Sequence, residues 1–128
     1  MLNKYFKTLL MAVMMCLSCS YLSANESQNG FDSARAGDYS EAMKYWQQKA
    51  ELGDAQAQFN LALMYHGGLG VAINETAALQ WYEKSAQNGY PWAQEYLAVA
   101  YQEGWFGLER DTGKAEVWLK KLEENSYF

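Results

Sequence analysis

Small and apolar residues recur at four-residue steps through three stretches of this chain, and glycine-rich breaks separate the stretches. Between Asp54 and His66, Ala57, Leu61 and Tyr65 fall on one helical face, and Ala55, Phe59 and Ala62 line the adjoining stripe. Gly67-Gly68-Leu69-Gly70 ends this helix, because glycine takes a left-handed C-terminal cap without strain. Asn74 is a good N-cap for a second helix, with Glu75 in its first turn. That helix turns Ala78, Tyr82 and Ala86 inward, with Leu79 beside them, and Asn88-Gly89 closes it. Upstream, Asp38-Tyr39-Ser40-Glu41 is a capping box, and the helix it opens presents Ala42, Tyr45, Trp46 and Ala50 inward. Residues 31–36 form one short helix before it, so the first pair has a shortened leading member.

The pattern repeats. At an offset of 36 residues Ala57 falls on Ala93, Gln58 on Gln94, Leu61 on Leu97, Ala62 on Ala98, Tyr65 on Tyr101 and Gly68 on Gly104. Beyond that glycine the offset is 37, and Gly70 meets Gly107, Asn74 meets Asp111, Ala78 meets Ala115 and Trp81 meets Trp118. The second copy thus carries one extra residue in its loop, near Trp105-Phe106. Backwards by 36, Asn74 meets Asp38, Tyr82 meets Trp46, Ala86 meets Ala50 and Gly89 meets Gly53. Each unit is a helix pair whose alanines let the helices approach closely and whose aromatics fill the grooves. One pair alone does not bury its apolar face, and stacking the next completes the core. The fold class expected is all-α, a short α-solenoid of stacked antiparallel helix pairs.

The segments AQAQFNLALMY, GGLGV and AALQWYEKSAQNG resemble the Sel1-like repeat, a relative of the tetratricopeptide repeat. The resemblance covers residues 31–125, as a partial unit at 31–53 and full units at 54–89 and 90–125 of a repeat domain spanning 31–128. The second full copy departs from the pattern. Glu95 stands where Phe59 stood, Leu119 replaces the tyrosine of the Trp-Tyr pair, and Leu122-Glu123 replaces the usual alanine, as suits a terminal cap. The resemblance implies protein–protein contacts in envelope signalling, secretion or host interaction. Members described as binding or hydrolysing β-lactams are cysteine-rich, and that activity does not carry over to a chain whose only cysteines, Cys16 and Cys19, precede the repeats.

The N-terminus changes the picture of where the repeats work. Lys4 and Lys7 precede a short apolar run, Leu9 to Leu17, and small residues follow up to Ala24. Residues 1–24 read as a secretory signal of a bacterial protein, too short for a stable span, with 25–30 a flexible polar segment. Cleavage after Ala24 gives a periplasmic or secreted protein, and lipid attachment at Cys19 is the alternative. Cleavage removes both cysteines, so the mature fold has no disulfide. It also removes two lysines and no acid, moving the net charge from −5 to −7. That balance argues against nucleic acid, whose phosphates need a basic surface, and against anionic lipid.

Catalytic and metal constellations are not assembled by this composition. His66 is the single histidine, and no Cys–His pair, Ser-x-x-Lys element or soft-metal cluster accompanies it past residue 24. The run from His66 to Gly70 follows a helix, not a strand, which makes it an inter-helix turn and not a phosphate loop. His66 itself suits a helix C-terminus. No enzyme, cofactor or metal is expected, and function falls to surface.

By analogy with tetratricopeptide arrays, the leading helices line a concave side. Gln56, Phe59, Leu63 and His66 of one unit face it, as do Trp92, Glu95, Val99 and Gln102 of the next, and Trp105-Phe106 form an aromatic loop beside them. Trp92 should be exposed, because Ala93, Leu97 and Tyr101 take the inward stripe. The expected function is an exported adaptor or regulator that binds a protein or peptide through this face. A structural or immunity-type subunit with one obligate partner is the alternative. The secreted protein should begin near Asn25, and intact-mass measurement that retains Met1 on the exported protein contradicts the signal reading.

Overall fold

The computed structural model describes residues 30–126, so the signal segment and the polar residues through 29 lie outside the described residues. A short helix, α1, covers residues 30–35. It is followed by α2 (Tyr39–Glu51), α3 (Ala55–Gly67), α4 (Glu75–Gln87), α5 (Pro91–Glu103), a 3-10 turn at Trp105–Gly107, and α6 (Thr112–Ser126). Each boundary has a local cause. Asp38, Asp54, Asn74 and Asp111 each accept a hydrogen bond from the backbone N–H three residues on. Tyr90 makes no such bond, and Pro91, which lacks an N–H, occupies the first turn instead. The leading helices α3 and α5 end on Gly68 and Gly104 in the left-handed conformation.

The helices stack in chain order, α2 on α3, α3 on α4, α4 on α5 and α5 on α6. One core cluster joins Ala42, Trp46 and Ala50 to Ala57, Leu61 and Met64. A second joins Ala62 to Ala78, Tyr82, Ala86, Ala93 and Leu97. The half-buried rings of Tyr65 and Trp81 touch both. Ala42, Ala62, Ala78, Ala93 and Ala115 are each fully enclosed, which is the close approach of helices that the sequence spacing predicts. Gly30, at the end of the polar segment in sequence, is helical and buried, and a Cβ there would lie 2.5 Å from the Tyr45 ring. Gly70 brings the α3–α4 loop onto the start of α2. Its φ is +71° and a Cβ would meet the Tyr39 carbonyl at 2.7 Å, so only glycine fits.

Two buried amides fix the register. Gln58 donates from Nε2 to the Ala50 carbonyl at 3.0 Å and accepts from Asn88 Nδ2 at 2.8 Å. One unit on, Gln94 donates to the Ala86 carbonyl at 3.0 Å and accepts from Asn125 at 3.2 Å. Each glutamine therefore ties its own helix to the end of the one before and the end of the one after. Ser85 adds a 2.6 Å bond to the Ala55 carbonyl. The loops have matching anchors, Asn74 N–H to Tyr65 O and Asp111 N–H to Tyr101 O, both 2.9 Å. Gln94→Leu should lower stability by about 1–3 kcal/mol, because both bonds of the buried amide, to the Ala86 carbonyl and from Asn125, are lost. Asn125→Ala, at the exposed end of the same chain of bonds, should cost under about 1 kcal/mol. Urea midpoints for the two variants that coincide would contradict the role given to the buried amide.

A candidate binding face and its aromatic cup

The leading helices carry no lysine or arginine along their length. On α5, Trp92 is 64% exposed while its neighbours Ala93 and Leu97 are fully enclosed. Glu95 and Gln102 are exposed and Val99 is half-buried, so Trp92, Glu95, Val99 and Gln102 form one continuous outward stripe. On α3, Gln56 and Leu63 are exposed at the matching positions. Asn60 lies between them on the same stripe, and its Nδ2 is buried with no hydrogen-bond partner among the described residues. Gln56 also edges a small cleft of about 80 Å³ against Phe31, Tyr45 and Trp46.

Phe59 does not belong to that open stripe. Its half-buried ring packs on Tyr82, Tyr90 and Tyr96 at centroid distances of 5.5, 5.2 and 6.5 Å. Packing wins because the neighbouring trailing helix and the next leading helix both present a tyrosine to it.

His66 is more than a helix end. Its Nδ1 lies 3.0 Å from the Tyr96 hydroxyl and 3.3 Å from the Tyr82 hydroxyl, so one ring nitrogen joins α3, α4 and α5. Tyr82 and Tyr96 stack at 4.4 Å with 29° between their planes. Burial first, then the charge and hydrogen bond of Tyr96, holds the Tyr82 phenol far above its ordinary value of 10. Burial also raises Tyr96, partly offset by its hydrogen bond with Tyr82.

The extra residue of the second loop completes this cluster. Phe106 sits at φ +58°, the only described residue other than glycine in the left-handed region. That conformation costs about 1–2 kcal/mol for a side chain with a Cβ. It turns the ring inward, 5.1 Å from His66 and 5.9 Å from Tyr82. Trp105 stays 41% exposed, with its ring 5.5 Å from Tyr96. The two loop aromatics that sequence treats as a pair thus have different places. His66, Glu75, Tyr96, Trp105 and Phe106 line an open cup of about 340 Å³. Glu75 and Tyr96 are additions to the sequence reading. Tyr96 falls on Asn60 at the 36-residue offset, and that aromatic change between copies was the available signal.

The family model for the Sel1 repeat matches residues 17–54, 55–90 and 93–127. The chain belongs to the Sel1 repeat family. The first matched repeat starts at residue 17, upstream of the partial unit drawn from sequence spacing. Among solved structures, a Sel1 repeat protein from Oxalobacter formigenes superposes with a TM-score of 0.64 at 35% identity, covering 66% of this chain and 34% of the other. Among curated proteins, the DAP3-binding cell death enhancer 1 of Rattus norvegicus is 41% identical over half of this chain and 13% of its own length. The ERAD-associated E3 ubiquitin-protein ligase component HRD3A of Arabidopsis thaliana is 33% identical over 64% of this chain and 12% of its own. The exopolysaccharide production negative regulator of Rhizobium meliloti (strain 1021) is 29% identical over 75% of this chain and 40% of its own. The Sel1 chain thus spans a minor part of each of these relatives, and the likeness is one of repeats.

The tyrosine cluster makes a pH prediction for this Sel1 array. A phenol raised in the folded state stays protonated when the unfolded chain ionises, so its contribution is full below pH 10 and falls as pH rises further. Stability should be flat from pH 8 to about 9.5 and then decline, and Tyr82→Phe should make the decline shallower. Urea midpoints at pH 8 and 10.5 measure both, and an unchanged slope in Tyr82→Phe contradicts the assignment.

Proposed function

We propose that this chain is an exported protein–protein interaction module, an adaptor or regulator, that binds an extended partner segment along the α3–α5 face. The observation that carries the reading is Trp92, a large ring 64% exposed on a helix that encloses Ala93 and Leu97 completely. Nothing in the packing of α5 requires an indole there, and exposed aromatics are the residues that most often dominate binding energy. Glu95 lies one turn along the same stripe, and Gln56 is exposed on the matching stripe of α3. A stripe of this composition suits a basic, partly apolar segment. Helices already fixed by their core lose little freedom on association, which favours binding.

The relatives support the class of function. One is named for binding DAP3, one is a component of a ubiquitin-protein ligase, and one is a negative regulator of exopolysaccharide production. Export rests on the Lys4, Lys7 and Ala24 layout of the first residues. Among the described residues no helix is long and apolar enough to cross a membrane.

Peptides selected from a displayed random library against the purified chain should be basic with an apolar residue beside the charge. Trp92→Ala should weaken the best of them by about 2 kcal/mol or more with helical circular dichroism unchanged. Glu95→Lys should slow association and flatten its dependence on salt. Equal affinity for the parent and Trp92→Ala chains would sink the reading.

A further inference from the structure

The cup at the loop end of α3 and α5 is lined by groups that suit a cation. Tyr96, Trp105 and Phe106 bring three aromatic rings to it, those of Trp105 and Phe106 set at 60° and 39° to that of Tyr96, so the rings do not lie in one plane. Glu75 brings a carboxylate to the same space and makes no ion pair with a described residue. The His66 ring turns an edge toward Phe106, at 74°, and its Nδ1 is engaged by the two phenols. The volume, about 340 Å³, is at the small end of the range of about 300–1,000 Å³ usual for ligand sites and accommodates a side chain.

The rest of the chain shows what such rings accept. Lys84 sits 4.1 Å over Trp81, Lys121 4.5 Å over Trp118, Lys114 5.2 Å over Tyr101 and Lys49 6.0 Å over Tyr45. Each of these rings has a lysine supplied by α2, α4 or α6. The leading helices supply none, and the rings of the cup have no cation over them among the described residues. Aromatic faces and a carboxylate in one cup, in a chain of net charge −5, are complementary to a positive group brought from outside.

We infer that the cup formed by His66, Glu75, Tyr96, Trp105 and Phe106 is a recognition site for a cationic side chain, arginine or lysine, of the bound segment. This rests on the reading of the α3–α5 face as a docking surface and assigns the residue that the segment must carry. The guanidinium or ammonium lies against the rings of Tyr96 and Trp105 with its charge met by Glu75. Phe106, held in the left-handed conformation by the one-residue insertion, closes the inner wall.

The test uses the full chain and small probes. The indole N–H signals of its five tryptophans are followed by nuclear magnetic resonance during titration with N-acetyl-arginine amide, N-acetyl-lysine amide, N-acetyl-citrulline amide and tetramethylammonium chloride. The Trp105 signal, identified by its loss in Trp105→Phe, should shift saturably with the arginine and lysine probes while that of Trp92 stays in place. Citrulline, neutral but of the same shape as arginine, should bind at least about tenfold more weakly, and Glu75→Gln should weaken the arginine probe by about the same factor. Citrulline binding equal to arginine, or an unchanged affinity in Glu75→Gln, overturns the assignment. Tetramethylammonium binding more tightly than either amino-acid amide also overturns it, because the ligand is then a free quaternary ammonium. Trp92→Ala separates this proposal from the one beneath it. Small cations that saturate the cup while Trp92→Ala leaves selected peptides undisturbed support the cup and refute the face. Peptides that need Trp92 while small cations fail to saturate the cup refute the cup alone.

Discussion

The stack depends on a side-chain amide that is satisfied at both ends. A buried carboxamide costs free energy unless its NH2 and its oxygen both find partners. Gln58 and Gln94 meet that condition only when three successive helix segments are in place, because the donor bond ends on the preceding helix and the acceptor bond starts at the C-terminal end of the following one. The hydrophobic contacts of alanine with alanine tolerate sliding, and these bonds do not. The separations agree with the insertion in the second loop. Asn88 is 30 residues after Gln58, and Asn125 is 31 after Gln94. The additional residue is therefore absorbed between the anchors at Tyr101 and Asp111, outside both helices. With the helix ends fixed, the loop has to bulge, and Phe106 takes the strained conformation that results.

Much of this architecture was legible in the sequence. Alanine spacing and glycine breaks locate every long helix within a residue or so, and the Asp or Asn caps at 38, 54, 74 and 111 form the bonds their types suggest. The exposure of Trp92 followed from helical geometry alone, since Ala93 and Leu97 occupy the inward stripe. What stayed hidden was polar or irregular. Gln58 and Gln94 matched in the repeat register, but a rule that sends amides to solvent gives them no buried role. The His66 cluster needed three helices to be placed before its hydroxyls and ring nitrogen met. The loop aromatics were visible as a pair, and only the left-handed backbone at Phe106 divides them into one ring turned in and one left out.

The aromatic residues of this chain do two kinds of work, and the distribution of lysine decides which. On the trailing helices, Trp81 and Trp118 stand next to the lysine one turn further on, and the ring and the cation satisfy each other within the same helix. These rings are also fixed in the core beneath them. On the leading helices no lysine or arginine occurs, so Trp92, Tyr96 and the loop rings beside them keep their outer faces for something else. The asymmetry between the two helices of a pair is thus one of charge as well as of position, and a leading-helix ring has a cation over it only where a trailing helix supplies one, as Lys114 of α6 does for Tyr101.

The strain at Phe106 follows the same logic. A left-handed phenylalanine persists only where surrounding contacts outweigh a cost of about 1–2 kcal/mol. Here the ring is held by His66, Tyr82 and Tyr96, one from each of three helices that the buried amides already hold in register. The inner side of the cup is therefore packed against three helices, although it belongs to a loop. In the proposed cation site, a wall packed before its ligand arrives spares the ordering cost that flexible loops incur. Trp105 lies on the same short turn, 41% exposed with its ring 5.5 Å from Tyr96, so the insertion couples an inner ring packed against three helices to an outer one left open to solvent.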